Sequence, residues 1–227
     1  GGRVGEASDL MMKEYALNFC MSEKSKYNHL NNYIYIHDLS AYAVGMHNCL
    51  SVPFDHLLEK GFNTRQADIR PANSIDTAFQ LLAVIFQLQS LQQFGGVSAT
   101  HLDWTMVPYL RKSFTKHLAT GMEYCENKST YKTERFYRWL KYDLHMDGTV
   151  HFEDEVFRQL HPEAWDYAMK QVEKETMQAV EGMYHNLNTL QSRSGNQLPF
   201  TSINYGTCTS PEGRMIIKAL LLGSLKG

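Results

Sequence analysis

Residues 78–86, AFQLLAVIF, are apolar at every position except Gln80. A surface helix carries its apolar residues on one side, so a helix apolar nearly all round must be wrapped by other elements. Helix signals bracket the run: Asn73 or Ser74 as cap, Asp76 in the first turn and Gly95-Gly96 past the end. They predict one largely buried helix over residues 71–94. Gln80 and Gln87, seven apart, share a face, and a buried glutamine needs polar partners. The glycine pair reads either as the helix stop or as a place where a backbone or phosphate comes close.

A chain of 227 residues with 43% hydrophobic content can build that wrapping, as one large domain or two small ones. The net charge of -2 offers no basic field for nucleic acid. The longest apolar run, residues 81–86, is too short to span a bilayer. Cys20, Cys49, Cys125 and Cys208 form no CxxC pair and no metal-ligand spacing, which predicts free thiols in a reducing cytoplasm and no metal site. Cys20 is expected to be a small core residue. The chain opens on Gly-Gly-Arg without methionine and stops just after an amphipathic helix, so a piece of a longer polypeptide is expected.

The next informative stretch is Ile34 to Val52, IYIHDLSAYAVGMHNCLSV. Its small apolar residues from Ala41 onward predict a strand covered on both faces, with Cys49 late in it, after His47-Asn48. His37-Asp38 reads either as a hydrogen-bonded turn or as a ligand-orienting pair. A helix at residues 6–21 precedes this stretch, with Ser8 as N-cap, and a short helix stopped by Gly61 follows it.

Asp103 opens a helix running to about Asn127, on which Arg111, Lys112, Lys116 and His117 make a basic patch. The patch is either a solvated face or a phosphate site. Residues 128–155 have weak periodicity, with a helix predicted over 131–144 and a turn at 146–149. Pro162 starts a long amphipathic helix. The polar loop QSRSGNQLPF, residues 191–200, leads into the strand TSINY. A loop of this kind, beside helix and strand ends, holds an anion through backbone N–H groups or is a plain linker. A second polar turn then caps a final helix, residues 212–223.

Three of these segments together resemble a known family. They are HDLSAYAVGMHNCL, RPANSIDTAFQLLAVIFQLQSLQQFGGVSATHLDWTMVPYLRKSF and QSRSGNQLPFTSINYGTCTSPEGRM, in this order. They resemble the anaerobic, class III, ribonucleoside-triphosphate reductases. The resemblance implies a helix-rich α/β fold, part of a ten-stranded α/β barrel of the glycyl-radical type. About one half-barrel with its helices would lie here, as a single domain over 1–227. It implies reduction of a ribonucleoside triphosphate to the 2′-deoxy form, with Cys49 as the thiol that donates to the substrate and Asn48 beside it. His37, Ser192, Ser194, Gly195, Gln197 and Ser202 fall on the substrate pocket. Residues 71–127 fall on a helical effector and dimer region, with Gln87 and Lys116 toward a dNTP or ATP effector.

The implied partners are a second copy of the chain and an iron–sulfur activase that uses S-adenosylmethionine. The glycyl radical, a second cysteine loop and a four-cysteine zinc site belong to parts of the family pattern not found in these residues. Formate is the implied reductant, with a thioredoxin-like protein as the alternative. Two other readings stay open: a lyase-type glycyl-radical enzyme, and a non-catalytic dNTP-binding module. The 227 residues alone are expected to make no deoxynucleotide when mixed with activase, formate and CTP; product by chromatography would refute this.

Overall fold

The computed structural model describes residues 2–45, 49–64, 67–91, 95–126, 136, 138, 140, 145–190 and 200–226. Asn48, Ser192, Ser194, Gly195, Gln197 and most of the helix expected at 131–144 lie outside them. The architecture is helix-rich α/β. Eight α-helices are described: α1 (Gly2–Tyr15), α2 (Glu23–Leu30), α3 (Phe54–Lys60), α4 (Ile75–Ser90), α5 (Leu102–Cys125), α6 (Glu155–Leu160), α7 (Pro162–Thr189) and α8 (Pro211–Gly223). The five described strands are short: β1 (Leu50–Ser51), β2 (Phe62–Asn63), β3 (Asp68–Ile69), β4 (Val97–Ala99) and β5 (Thr201–Ile203). Two compact units result, one of residues 1–52, 84–99 and 189–202, the other of 53–83, 100–188 and 203–227.

In the first unit α1 packs on the 3-10 turn Leu39–Ala41, with Ala16, Leu39 and Ala41 buried. A π-turn, Ala16–Cys20, follows α1 directly. Its wider winding shifts the helical phase, and Cys20 is exposed rather than in the core. Ser8 lies inside α1 and caps nothing. The long strand expected from Ala41 to Val52 is also replaced. Asp38 at φ 49 and Gly45 at φ 68 turn the backbone left-handed, and among the described residues of this stretch the strand is Leu50–Ser51. A run of small apolar residues does not by itself separate strand from turn.

The three-stranded sheet has the order β1-β4-β5. β1 and β4 are parallel, with Leu50 opposite Val97 and Ser51 opposite Ser98. Val97 N–H donates to Phe200 C=O at 2.8 Å, and Leu102 N–H to Asn204 C=O at 2.9 Å. The residue numbers rise together, as parallel pairing requires. Val97 and Ala99 are buried.

The second unit is built on α5. Leu102, Met106, Leu110, Phe114, Leu118 and Met122 recur at four-residue spacing and are fully buried. α5 packs against α8. Phe114 meets the Trp165 ring of α7 edge-on at 4.9 Å. Gly121 lies so close to α7 that a Cβ would stand 2.9 Å from the carbonyl oxygen of Ala164. Helix starts and stops follow local chemistry. Ser74 Oγ accepts from Thr77 N–H ahead of α4, and Ser210 Oγ from Gly213 N–H in α8. Pro162 is the first residue of α7. Gly61, at φ 74, ends α3 where any side chain would collide with the carbonyl oxygen of Ile69. β2 and β3 pair antiparallel, with Phe62 opposite Ile69 and Asn63 opposite Asp68.

Along α4, Ala78, Phe79, Leu82, Ala83, Ile85 and Phe86 are buried, as expected. Gln80 is not: it is exposed and donates to Asp76 Oδ2 at 3.1 Å. The helix ends at Ser90, before the glycine pair.

Asp103, fully buried, ties β5's continuation to α5. Its Oδ2 accepts the N–H groups of Gly206, Thr207 and Cys208 at 3.0, 3.0 and 2.7 Å. Burial raises its pKa, but the backbone donors outweigh that and hold it below the ordinary carboxylate value. A depressed folded pKa gives stability that is present above the unfolded value of about 3.9 and is lost as pH falls through the folded one. Asp103→Asn is expected to cost about 1.5–3 kcal/mol at pH 7. It is also expected to flatten the loss of stability between about pH 5 and pH 2, followed by urea unfolding across that range.

Candidate functional site

Cys49 stands immediately ahead of β1, at the head of the strand rather than at its end, and is exposed. Its sulfur accepts a hydrogen bond from Gly96 N–H at 3.3 Å. The anchor is the sheet itself: Leu50 N–H donates to Gly96 C=O at 3.1 Å and Val52 N–H to Ser98 C=O at 3.0 Å. Parallel strands place the sulfur, Gly96 and Phe200 at the same edge, one at the head of each strand. With neighbouring strands about 4.8 Å apart, β5 begins roughly 10 Å from β1. Residues 191–199, which precede Phe200 in the chain, lie outside the described residues.

Strand alternation extends the site. Ser51 lies opposite Ser98 in the register of β1 and β4. The bond from Val97 to Phe200 sets Ser98 opposite Ser202 in the same way. Ser51 and Ser202 are exposed and Ser98 is half-buried, whereas Val52, Val97 and Ala99 on the other face are buried. The accessible face thus carries Cys49, Gly96 and the exposed Phe200 in one row and three serines in the next. Ser51 and Ser98 were not among the residues expected here, yet they carry a sequence signal. Each strand enters with the same spacing to its serine: Cys49-Leu-Ser51, Gly96-Val-Ser98 and Phe200-Thr-Ser202.

His37 is on the turn before Leu39, its Nδ1 2.7 Å from Asp38 Oδ2, with the imidazole largely exposed. Gln87 is half-buried on α4, and its carbonyl accepts the Ser90 hydroxyl at 2.8 Å. Cys208 is buried, with its sulfur 3.3 Å from Ser210 Oγ.

The basic patch on α5 resolves mostly into internal pairs. Arg111 Nε donates to Glu212 Oε1 at 2.8 Å. His117 Nε2 and Glu175 Oε2 are 2.7 Å apart. Lys112 reaches Ala72 C=O at 3.3 Å and lies over the Tyr109 ring. Lys116 remains exposed to solvent. Burial raises the pKa of Glu212, but hydrogen bonds from Arg111 and from the backbone of Glu212 and Phe152 more than offset this and lower it. The histidines of residues 145–161 have carboxylates of their own: His145 with Asp154, His151 with Asp147 and His161 with Glu126. Among the described residues no group of three or more His, Cys, Asp or Glu is arranged to hold a metal ion, and no helix is long and apolar enough to cross a membrane.

An α/β protein with a thiol presented at the head of a parallel strand, beside a hydroxyl-lined sheet face, is the class these observations define. The sequence matches the family described as anaerobic ribonucleoside-triphosphate reductase over residues 2–227, and the chain belongs to that family. It is similar to the anaerobic ribonucleoside-triphosphate reductase of Enterobacteria phage T4, 28% identical over 200 residues, covering 88% of this chain and 27% of the relative. The Haemophilus influenzae protein of the same name is 26% identical over 219 residues, covering 96% and 26%. That of Escherichia coli K12 is 25% identical over 219 residues, with the same coverage of 96% and 26%. The chain spans about a quarter of the length of the curated relatives it matches.

The charge pairs separate structural from accessible cations. Arg111→Met leaves the Glu212 carboxylate buried without its cation and is expected to cost about 3–5 kcal/mol. Lys116→Met is expected to change stability by no more than about 0.5 kcal/mol. Chemical denaturation of both variants at pH 7 checks the contrast.

Proposed function

We propose that this chain is part of the catalytic subunit of an anaerobic ribonucleotide reductase, converting a ribonucleoside triphosphate to its 2′-deoxy form. Cys49 is the thiol that donates to the substrate. The observation that carries the reading is its placement: an accessible sulfur fixed by a backbone N–H at the edge of a parallel sheet, two strands from β5. A thiol there gives up hydrogen far more readily than a hydroxyl, and a nearby backbone donor orients the sulfur.

The family's glycyl and thiyl radicals supply the one-electron chemistry that activates the sugar. Cys49 contributes the proton that lets the 2′-hydroxyl leave as water, and its sulfur supplies reducing equivalents. Formate balances the net reaction: ribonucleotide, formate and a proton become deoxyribonucleotide, carbon dioxide and water. Residues 191–199, with Ser192, Ser194, Gly195 and Gln197, bind the substrate's phosphates, and Ser202 lies on the sheet face beside them. Asn48 neighbours the thiol, and His37 borders the pocket. A ten-stranded barrel completed by the remainder of the subunit would enclose the sulfur and shield radical intermediates.

Residues 71–127 serve dimerisation and effector binding. Lys116 is the cation still available there for a dNTP phosphate, with Gln87 a second contact. The setting is cytoplasmic, with a separate iron–sulfur activase as partner. In the complete enzyme, supplied with activase, formate and CTP, Cys49→Ser is expected to reduce dCTP formation to the level seen without activase, with CTP still bound. Turnover surviving in that variant would favour a non-catalytic nucleotide-binding role. Displacement of CTP by pyruvate would favour a lyase.

A further inference from the structure

Among the described residues, nothing in the backbone or packing around Gly96 requires a glycine. Three reasons are usual inside or beside a strand: stopping a helix, adopting a left-handed φ, or avoiding a collision. Helix α4 ends at Ser90, so the pair Gly95-Gly96 is not its stop. Gly96 is absent from the described glycines with positive φ, which are Gly45, Gly61, Gly148 and Gly206. Among the described residues, a Cβ on Gly96 would meet the carbonyl oxygen and Cβ of Phe200, at 3.5 and 3.9 Å, which is ordinary contact. Gly223 shows the opposite situation, where a Cβ would stand 2.7 Å from Val180 Cγ1.

What distinguishes Gly96 is its neighbour. Its N–H holds the Cys49 sulfur at 3.3 Å. One step before the Leu50–Val97 match, the register sets it directly across from Cys49. By alternation it shares the face that carries Ser98, in the row just ahead of Ser51, Ser98 and Ser202.

We propose that Gly96 is a positioning and specificity residue of the reductase site. Its N–H fixes the sulfur, and its bare Cα keeps the sheet face beside the thiol open to the sugar ring of the nucleotide. The inference rests on the role assigned to Cys49 above. Transfer from a thiol requires the reacting atoms within about 3–3.5 Å, so the ring has to lie against the face beside the sulfur, where a side chain on residue 96 would project. The three serine hydroxyls in the next row each offer one donor and two acceptor positions to the sugar's own hydroxyls.

The test uses the complete enzyme with activase, formate and CTP. Gly96→Ala is expected to melt within about 2 °C of the parent, because the added methyl is in ordinary contact with Phe200 among the described residues. Its kcat/KM for CTP is expected to fall at least tenfold, and further for Gly96→Val, as a displaced reactant costs orders of magnitude. Iodoacetamide labelling of Cys49, read by peptide mass, is expected to stay within about twofold in the alanine variant, showing an accessible thiol still in place. An unchanged kcat/KM overturns the inference, and so does a melting point lowered by about 5 °C or more, which would make the glycine a packing residue. Full activity in Cys49→Ser would remove the functional reading itself. An inactive Cys49→Ser beside a normal Gly96→Ala would remove only the role of Gly96.

Discussion

The structure of the thiol site depends on the pairing of β4 with a strand on each side. Three residues, Val97 to Ala99, take partners from segments nearly fifty residues before them and about a hundred after them. Parallel strands cannot be joined by a tight turn, so the intervening chain has to travel away and return through helices. That requirement explains why so short a sheet accompanies so many helices. It also explains why the heads of all three strands, with Cys49, Gly96 and Phe200, converge on one edge.

Buried carboxylates do a comparable job in the helical unit. Asp103 gathers three successive backbone N–H groups, and Glu212 joins Arg111 to the N–H of Phe152. Each carboxylate loses hydration on burial, and fixed donors on one of its oxygens outweigh that loss, which is why both titrate below their ordinary values. Such groups tie loops to helices with a directionality that apolar contact lacks. They also withdraw Arg111 from a patch that, along the sequence, reads as a candidate phosphate site.

Much of the helical framework was legible because its signals are local. The caps at Ser74 and Ser210, the proline at the start of α7, the glycine after α3 and the apolar spacing of α4 and α5 all act within a few residues. The region around Cys49 was less legible. A small apolar run suits a strand or a turn equally, and the left-handed Asp38 and Gly45 decided for the turn. Cys20 moved out of the core because a π-turn shifted its phase, and Gln80 because its face of α4 meets solvent. Ser51 and Ser98 stayed hidden because two-residue and three-residue strands are too short to show alternation.

The sequence by itself determined the family and most of the long helices, since motifs, caps and periodicity are properties of neighbouring residues. Only the tertiary structure decided which segments lie side by side: that Cys49 heads its strand, that Gly96 holds its sulfur, and that Arg111 and His117 turn inward while Lys116 does not. Those outcomes depend on strand register and on which carboxylates arrive from distant helices, and no local pattern encodes either one.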